Sequence, residues 1–258
     1  MQVEPALQLD HVAKRYGRHD VLEGVDLVVE PQEFIALVGI NGAGKTTLIK
    51  ALLDFCTIDG GTIQIFGIDH RQTGARARLA FLPERFIPPS FATGWEFVRY
   101  MGRLYGKRPS APQGEEVLVR LDLDLESLAK PVRELSKGMA QKLGLAACLL
   151  SERELFVLDE PMSDLDPKAR AMFKRYLLGL KDKGLSLFFS THLLADVEQL
   201  CDRMAVLQKG QVCYAGSPQD FLAQYQGPTL EDAYLRCVCD EKPGNVVLSP
   251  PREARSRA

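Results

Sequence analysis

The chain has 258 residues, of which 46% are hydrophobic, 26% charged and 8% aromatic. This composition excludes a wholly disordered or fibrous protein, and the length predicts one or two globular domains. The formal net charge of −2 argues against a duplex nucleic-acid partner, because such proteins usually carry a basic excess. No apolar run approaches the ~20 residues of a membrane-spanning helix, and the first ten residues do not resemble a secretory signal. We therefore expect a cytoplasmic chain.

The first third of the chain is predicted to be rich in β-strands. Short apolar or alternating runs occupy residues 8–12, 25–30, 34–39 and 62–66. The turn signal Asp59-Gly60-Gly61 precedes the last of these runs, which indicates a hairpin or an edge strand.

The middle of the chain changes to helical periodicity. After the loop at Pro88-Pro89, large apolar residues recur at near-helical spacing between 95 and 105, and residues 115–121 and 137–150 also predict helices. Further on, compact apolar strands alternate with a helical stretch. The predicted strands cover 155–158, 185–189 and 205–207, and the helix covers 168–183. Such alternation favours parallel strands joined by helices.

The strongest local pattern is a glycine-rich loop between a predicted strand and a predicted helix. It matches G-x-x-x-x-G-K-[ST] over Gly39, Ile40, Asn41, Gly42, Ala43, Gly44, Lys45, Thr46 and Thr47. In such a loop the backbone N–H groups and the positive end of the following helix face phosphate oxygens. Lys45 is expected to reach the β- and γ-phosphates, and the Thr46 hydroxyl to ligate Mg²⁺.

A second chemical signal is the apolar strand 155–158, which runs into Asp159 and Glu160. Strand side chains alternate, so the two carboxylates are expected to point in different directions. Beside a phosphate loop we assign Asp159 to the metal, and Glu160 to the attacking water as general base or water positioner. The sequence thus predicts an α/β phosphate-loop NTPase with Mg²⁺ as cofactor.

Four further motifs occur in a fixed order along the chain relative to the phosphate loop and the acidic pair. They are Tyr16 before the phosphate loop, Leu135-Ser136-Lys137-Gly138-Met139 at a helix start, Ser163-Asp164-Leu165-Asp166 after the acidic pair, and His192 after the next strand. Over residues 7–225 this order resembles the ATP-binding-cassette (ABC) transporter ATPases. The four motifs resemble that family's adenine-stacking aromatic, signature loop, D-loop with Asp166, and switch histidine. Ser136 is also a plausible helix N-cap without any ligand.

The resemblance implies how such a chain works. Two ATPase subunits, here expected to form a homodimer, pair head to tail, so that each phosphate loop faces the signature loop of the opposite subunit. ATP closes the dimer, hydrolysis opens it, and a separate transmembrane permease is driven. His192 would contact the γ-phosphate. The chain would then be peripheral on the inner face of the cell membrane, with no nucleic-acid partner.

Several positions depart from the common family pattern. Glu84 stands where many members have Gln, and is expected to bind the nucleotide or its Mg²⁺. Lys137 and Met139 replace Gly and Gln of the signature. These three residues, and the stretch 230–235, resemble the exporter branch with separate membrane subunits. We also expect Phe86 and Phe91, just after Glu84, to be partly exposed where the permease docks.

The predicted division has three parts. Residues 1–84 and 151–225 form a discontinuous ATP-binding core, with a mainly parallel sheet, flanking helices and an N-terminal antiparallel part. Residues 85–150 form an inserted helical subdomain with the signature motif, and 226–258 a C-terminal extension that is flexible at its end.

Other functions remain open at this point. The main alternative is a soluble ABC-type ATPase that acts on nucleic acid or ribosomes, but no second cassette, long coiled coil or zinc cysteines are visible. A GTPase would need an N-K-x-D motif, which is absent. A nucleotide sensor without catalysis is disfavoured by the intact Lys45, Asp159, Glu160 and His192.

Overall fold

The computed structural model describes residues 4–107 and 110–239. The strands are β1 (Leu7–Tyr16), β2 (His19–Val29), β3 (Phe34–Val38), β4 (Gly60–Ile65), β5 (Ile68–Asp69), β6 (Leu79–Leu82), β7 (Leu155–Asp159), β8 (Ser186–Thr191), β9 (Arg203–Gln208) and β10 (Gln211–Gly216). The α-helices are α1 (Lys45–Leu52), α2 (Gly94–Leu104), α3 (Ala111–Arg120), α4 (Lys137–Leu150), α5 (Pro167–Lys181), α6 (Leu194–Leu200), α7 (Pro218–Tyr225) and α8 (Leu230–Cys239).

These elements form two compact units. The first unit contains the described residues up to Ala77 and from Ser190 onward, and the second unit contains those in Arg78–Phe189. The division falls within β8, so the last residues of that strand belong to the first unit.

The first unit holds an antiparallel sheet and a set of buried strands. The antiparallel strands lie in the order β2-β1-β4-β5, with Leu7 opposite both Val29 and Ile65. Strand β3 pairs in parallel with β9, and β9 continues into an antiparallel hairpin with β10. All five residues of β3 are buried, as expected for a parallel strand covered on both faces.

The core of the second unit is formed by β6 and β7, which pair in parallel, and by α4. All five residues of β7 are buried, and so are ten consecutive residues of α4, from Gln141 to Leu150. The helix α2 begins with a capping box, in which Thr93 and Glu96 satisfy each other's backbone N–H groups.

The predicted α/β fold with an N-terminal antiparallel part and a helical segment is confirmed, and α4 has the predicted bounds. The predicted division into an ATP-binding core, a helical subdomain and an extension stays a prediction, and the two compact units are bounded at other residues. Strands β6 and β7 and helix α5, which we assigned to the core, belong to the same unit as helices α2–α4. The extension begins with α8, and the flexible end that we predicted lies outside the described residues. Within 4–107 and 110–239, no helix has the length and apolar character needed to cross a bilayer.

A buried ion pair in the first unit generates a stability prediction. The Glu33 carboxylate accepts from Arg203 Nη1 at 3.1 Å and from the Glu30 backbone N–H at 2.9 Å, and both paired side chains are 10% exposed. Replacing Glu33 by Ala leaves a buried guanidinium without its carboxylate, so we expect urea denaturation to show a loss of about 3 kcal/mol.

The control is Glu116→Ala, which breaks the exposed pair between Glu116 and Arg120. That change should cost less than about 0.5 kcal/mol, because an exposed i,i+4 pair is screened by water. Equal losses in the two variants would contradict the assignment of Glu33 to a stabilising buried pair.

Candidate nucleotide site

The phosphate loop connects β3 to α1 in the first unit, and two glycines permit its path. A Cβ on Gly39 would lie 2.5 Å from the carbonyl oxygen of Leu207 in β9. Gly44, the N-cap of α1, has φ of 111°, and a Cβ there would lie 2.8 Å from the carbonyl oxygen of Val21. Only glycine fits both positions, because any side chain would collide with neighbouring backbone.

The rest of the loop has an exposed turn at residues 41–42 and a buried segment at residues 43–45. The Ala43 backbone N–H donates to Ile40 O at 3.1 Å, and Gly210 N–H donates to Ala43 O at 3.3 Å. Asn41 and Gly42 are exposed, whereas Thr46 and Thr47 at the start of α1 are half-buried. The helix has no side-chain cap at its N-terminus. A helix N-terminus without a side-chain cap is a position at which an anion can be bound.

Lys45 is the buried cation of this loop. Its side chain is 6% exposed, and Nζ donates to Gly39 O at 2.6 Å and to Ile40 O at 3.4 Å. Lysine is rarely buried to this extent without a function or a strong partner. The loop thus holds an ammonium group against its own carbonyls at the start of a helix.

Tyr16 ends β1 and is 48% exposed. Lys14 Nζ lies 5.2 Å from the centre of its ring, and a side-chain hydrogen bond with Cys56 raises the pKa of the Tyr16 hydroxyl. The exposed area of the ring is available for stacking on a planar group.

The acidic pair lies in the second unit, and its geometry differs from our expectation. Strand β7 ends at Asp159, which is 3% exposed, and Glu160 follows with φ of 47°. The strand alternation that we used therefore does not extend to Glu160, which has a left-handed backbone and is 8% exposed. Non-glycine residues in this conformation are uncommon and cluster at functional sites.

Hydrogen bonds to the backbone hold the segment after Glu160. Ser163 donates to Glu160 O from both its backbone N–H and its hydroxyl, at 3.3 and 3.0 Å. Gln141 of α4 donates to Pro161 O at 3.3 Å, and Arg170 of α5 donates to Met162 O at 3.1 Å. These bonds compensate for the strained backbone at Glu160, because they fix the chain on its C-terminal side.

The signature residues surround the N-terminus of α4. Ser136 is the N-cap and its Oγ accepts from the Met139 N–H at 3.2 Å, as the simple capping interpretation predicts. The cap uses one acceptor lone pair and no hydroxyl proton, so capping and phosphate binding are compatible. Ser136 and Lys137 are exposed, and Leu135, Gly138 and Met139 are half-buried. A Cβ on Gly138 would lie 3.0 Å from Asp164 O, so the signature lies directly on the D-loop.

Asp166 has a structural role of its own, as the N-cap of α5. Its carboxylate accepts from the Ala169 N–H at 2.9 Å and lies 3.5 Å from Lys142 Nζ. The backbone hydrogen bond from Ala169 lowers the pKa of Asp166, and Lys142 contributes to the same shift.

A cleft in the second unit brings Glu84 together with the signature. It has a volume of about 550 Å³, and Glu84, Ser136, Lys137, Gln141 and Asp164 are among its lining residues. Glu84 is exposed. The cleft therefore brings Glu84 together with Leu135, Ser136 and Lys137, whereas Asp159, Glu160 and Asp166 are not among its lining residues. It adds Gln141, which was not predicted because a glutamine inside an apolar helix gives no signal of its own.

His192 follows β8 in the first unit and is exposed. The Leu193 N–H donates to Thr191 Oγ1 at 3.0 Å, which closes a turn around the histidine. The first unit therefore carries Tyr16, the phosphate loop and His192, and the second carries Glu84, residues 135–139, Asp159, Glu160 and Asp166.

Each unit carries an oxygen ligand of the type that Mg²⁺ takes beside a nucleotide phosphate. Mg²⁺ in phosphate sites takes only one or two ligands from the protein, and phosphate and water supply the others. Within the described ranges, no group of three or more His, Cys, Asp or Glu side chains forms a cage for a metal. The Thr46 hydroxyl and the buried Asp159 carboxylate are hard ligands of the required type.

The fold and these motifs define a phosphate-loop nucleotide-binding domain. A family model described as ABC transporter matches residues 22–163. An uncharacterized ABC transporter ATP-binding protein of Synechocystis is 39% identical over 80% of this chain, and the match spans 59% of that longer relative. The Nod factor export ATP-binding protein I of Cupriavidus metallidurans is 35% identical over 88% of this chain and 76% of its own length.

A solved structure of the ATP-binding subunit of an ABC transporter is also similar. It has a TM-score of 0.81 and 31% identity, and the match covers 89% of this chain and 98% of that one. The chain therefore belongs to the ABC transporter family, as the order of its motifs predicted.

Gly44→Ala tests the close packing of the phosphate loop. The Cβ would meet Val21 O at a φ that L-residues rarely adopt, so we expect a loss of at least about 2 kcal/mol in the free energy of unfolding.

The control is Gly179→Ala on the exposed side of α5, where a Cβ would meet nothing within 4 Å. This change should stabilise by about 0.5–1 kcal/mol, because alanine is the better helix former. If Gly44→Ala were as stable as the parent, close backbone approach would not be the reason for glycine at this position.

Proposed function

We propose that this chain is the ATP-binding and ATP-hydrolysing subunit of an ABC transporter, and that it drives a separate transmembrane permease. The observation that supports the proposal most directly is the buried Lys45 ammonium, 2.6 Å from Gly39 O in the phosphate loop of a chain of this family. ATP hydrolysis, Mg²⁺ dependence and each residue role below are part of this proposal.

In the proposed reaction, Tyr16 stacks on the adenine and residues 39–47 bind the phosphates, with Lys45 at the β- and γ-phosphates. Glu160 accepts a proton from the attacking water while the water oxygen forms a bond to the γ-phosphorus. The bond from that phosphorus to the bridging oxygen breaks, and ADP leaves with the electron pair. Thr46 and Asp159 would each supply an oxygen ligand to Mg²⁺, which would neutralise phosphate charge when bound. His192 and Glu84 orient the γ-phosphate and the water.

The opposite subunit completes this site in the proposal. The Ser136 hydroxyl and the N–H groups at the start of α4 are donors at a helix N-terminus, and they are suited to a γ-phosphate bound by a second copy of the chain. Lys137 adds a positive charge at the same exposed position. ATP would thus join two subunits, and its hydrolysis would release them.

The permease is proposed to dock on a groove of the second unit. The groove has a volume of about 790 Å³ and is lined by Pro89, Phe91, Ala92, Glu96, Phe97, Arg99, Tyr100 and Arg103. Phe91 is 83% exposed and Tyr100 54% exposed. Phe86, which we expected to share this role, is half-buried with its ring 5.5 Å from that of Phe97, so it supports the groove from within. A helix with apolar and acidic residues matches the exposed rings and the two arginines.

Export is the proposed direction of transport. The support is the name of the Nod factor export relative, together with the resemblance of Glu84, Lys137 and Met139 to the exporter branch. The alternative, an ATPase acting on nucleic acid or ribosomes, has no comparable support, since the relatives are named as transporter or export proteins.

Glu160→Gln tests the catalytic role. The variant keeps the size of the side chain but removes the base, so we expect the rate of ATP hydrolysis to fall at least about 100-fold while ATP still binds. Size-exclusion chromatography with MgATP should then show a dimer that accumulates because its phosphate is not released.

The matched control is Glu154→Gln, which changes a surface carboxylate paired with Arg78. It should keep normal hydrolysis and form no ATP-dependent dimer. A Glu160→Gln variant that hydrolyses ATP normally would exclude Glu160 as the base, and one that binds ATP but remains monomeric would count against the head-to-tail dimer.

Phe91→Ala combined with Tyr100→Ala tests the docking groove. Both rings are exposed, so their loss should leave basal ATP hydrolysis unchanged but reduce the amount of co-expressed membrane subunit that co-purifies with the chain by about tenfold or more.

Val119→Ala combined with Leu178→Ala serves as the control, because these exposed apolar residues lie on α3 and α5 outside the groove. It should retain the membrane subunit fully. Equal retention by both double variants would refute docking at the groove.

A further inference from the structure

Lys14, near the end of β1, is a buried cation to which the proposed mechanism gives no task. The residue is only 7% exposed. Burial of an ammonium group is costly unless other groups replace the water that it loses, so buried lysines are almost always paired. The neighbours of the Lys14 ammonium should therefore indicate what the residue does.

Two side chains of the segment before β4 hold this ammonium. Lys14 Nζ donates to Thr57 Oγ1 at 3.4 Å and lies 3.4 Å from the carboxylate of Asp59. The backbone N–H of Arg15 lowers the pKa of Asp59, and Lys14 contributes to the same shift. The carboxylate is therefore charged at neutral pH, and it attracts the ammonium toward the end of β1.

Asp59 also fixes the backbone on both sides of Lys14. The pairing of β4 with β1 ends where Gly60 lies opposite Ala13. Just beyond that pair, the Asp59 N–H donates to Ala13 O at 2.8 Å, and Asp59 Oδ2 accepts from the Arg15 N–H at 2.6 Å. The place of Lys14 is thus set by its main chain as well as by its side chain.

The third neighbour of the ammonium is the aromatic ring of Tyr16. Lys14 Nζ lies over this ring, 5.2 Å from its centre. A cation within about 6 Å of the centre of a ring is attracted by the negative charge of the ring face. One face of the ring is therefore directed at the ammonium, although Tyr16 as a whole is 48% exposed.

The strand next to β1 connects this end of the sheet to the phosphate loop. Lys14 is paired with Leu22 of β2, and Tyr16 with His19 at the turn. A Cβ on Gly44 would lie 3.0 Å from Leu22 Cδ2. The start of α1 and the end of β1 thus both contact Leu22, so the backbone of Tyr16 is fixed relative to the loop. The direction of its ring remains to be set by side-chain contacts.

We propose that Lys14 is a positioning residue for Tyr16, and that its ammonium occupies one face of the ring so that the opposite face meets a planar base. The inference rests on the stacking role of Tyr16 in the proposed function. Without the ammonium, an exposed ring must be ordered at the moment when the nucleotide binds. The effect should fall on nucleotide affinity, because Lys14 is assigned no contact with the reacting phosphate.

Lys14→Met in the full-length chain tests this inference. Methionine keeps an apolar stem of similar length but removes the ammonium, and Asp59 is 49% exposed, so its carboxylate remains hydrated. Titration with MgADP by calorimetry should show Kd raised about threefold to tenfold, the cost of ordering one exposed side chain on binding. KM for ATP should rise by a similar factor, with kcat within about twofold of the parent.

Two controls separate positioning of the ring from a general effect of charge or packing. Lys50→Met removes an exposed lysine from the last turn of α1 in the same unit, and it should leave Kd unchanged. Tyr16→Ala should raise Kd about tenfold or more, because stacking on the base is lost. In the Tyr16→Ala background, Lys14→Met should have little further effect, since the ring that it positions is gone.

The outcomes distinguish the inference from the proposed function. A parent chain that binds no MgADP would refute the nucleotide site itself, and a Tyr16→Ala variant with the parent's Kd would refute stacking on Tyr16. If Tyr16→Ala weakens binding but Lys14→Met has the parent's Kd, only the positioning role fails. An undiminished effect of Lys14→Met in the Tyr16→Ala background, or an equal loss in Lys50→Met, would also overturn that role.

Discussion

The close approach of backbone carbonyls to the phosphate loop is the constraint on which the first unit depends. Leu207 O lies where a side chain of residue 39 would be, and Val21 O lies where a side chain of residue 44 would be. The loop can therefore pass between β2 and β9 only as glycine at these two points. Because these neighbours are backbone atoms, which move less than side chains, the path of the loop is constrained without any ligand.

A comparable constraint acts on the acidic strand of the second unit. Strand β7 is buried throughout, and the chain turns into a left-handed conformation immediately after Asp159. This turn costs on the order of 1 kcal/mol or more for a residue with a side chain. The hydrogen bonds of Ser163, Gln141 and Arg170 to the following carbonyls offset that cost. They also connect Glu160 to both the signature helix α4 and the D-loop helix α5.

Much of this arrangement could be predicted from the sequence because the signals were strong and local. The glycine-rich loop has a distinctive sequence motif. Strand β7 and helix α4 each combine an apolar pattern with a recognisable residue at one end, the acidic pair after β7 and the N-cap before α4. Glu160 shows the limit, since alternation along a strand applies only while the strand continues. The strand ends at Asp159, directly before Glu160. Pro161 follows, but the residue before a proline is expected to be extended rather than left-handed, so the conformation of Glu160 could not be predicted from it.

The C-terminal elements were harder to predict for a different reason. Helices α7 and α8 are short, which weakens their periodicity. Only their N-caps give a clear signal in the sequence, because Ser217 and Thr229 each accept a hydrogen bond from the backbone N–H three residues later. Helix α6 has no side-chain cap at all, and the β9–β10 turn is Lys209-Gly210 rather than a typical Asn-Gly.

Charge links the parts of the second unit that the proposed mechanism uses together. Lys142 on α4 is 7% exposed and lies between Asp122 and Asp166, with Nζ at 3.7 and 3.5 Å from their carboxylates. Lys168 of α5 binds Asp122 from the other side at 2.7 Å. A hydrogen bond with Lys168 lowers the pKa of Asp122, and the Ala169 N–H lowers that of Asp166.

Both carboxylates therefore contribute stability above the ordinary aspartate pKa of about 3.9 and lose it as pH falls through their lower folded values. At neutral pH both carboxylates are charged, and their contacts with Lys142 connect the signature helix α4 to the N-terminus of the D-loop helix α5. Movement of either should carry the other with it, because separating them would leave the largely buried Lys142 ammonium without its carboxylates.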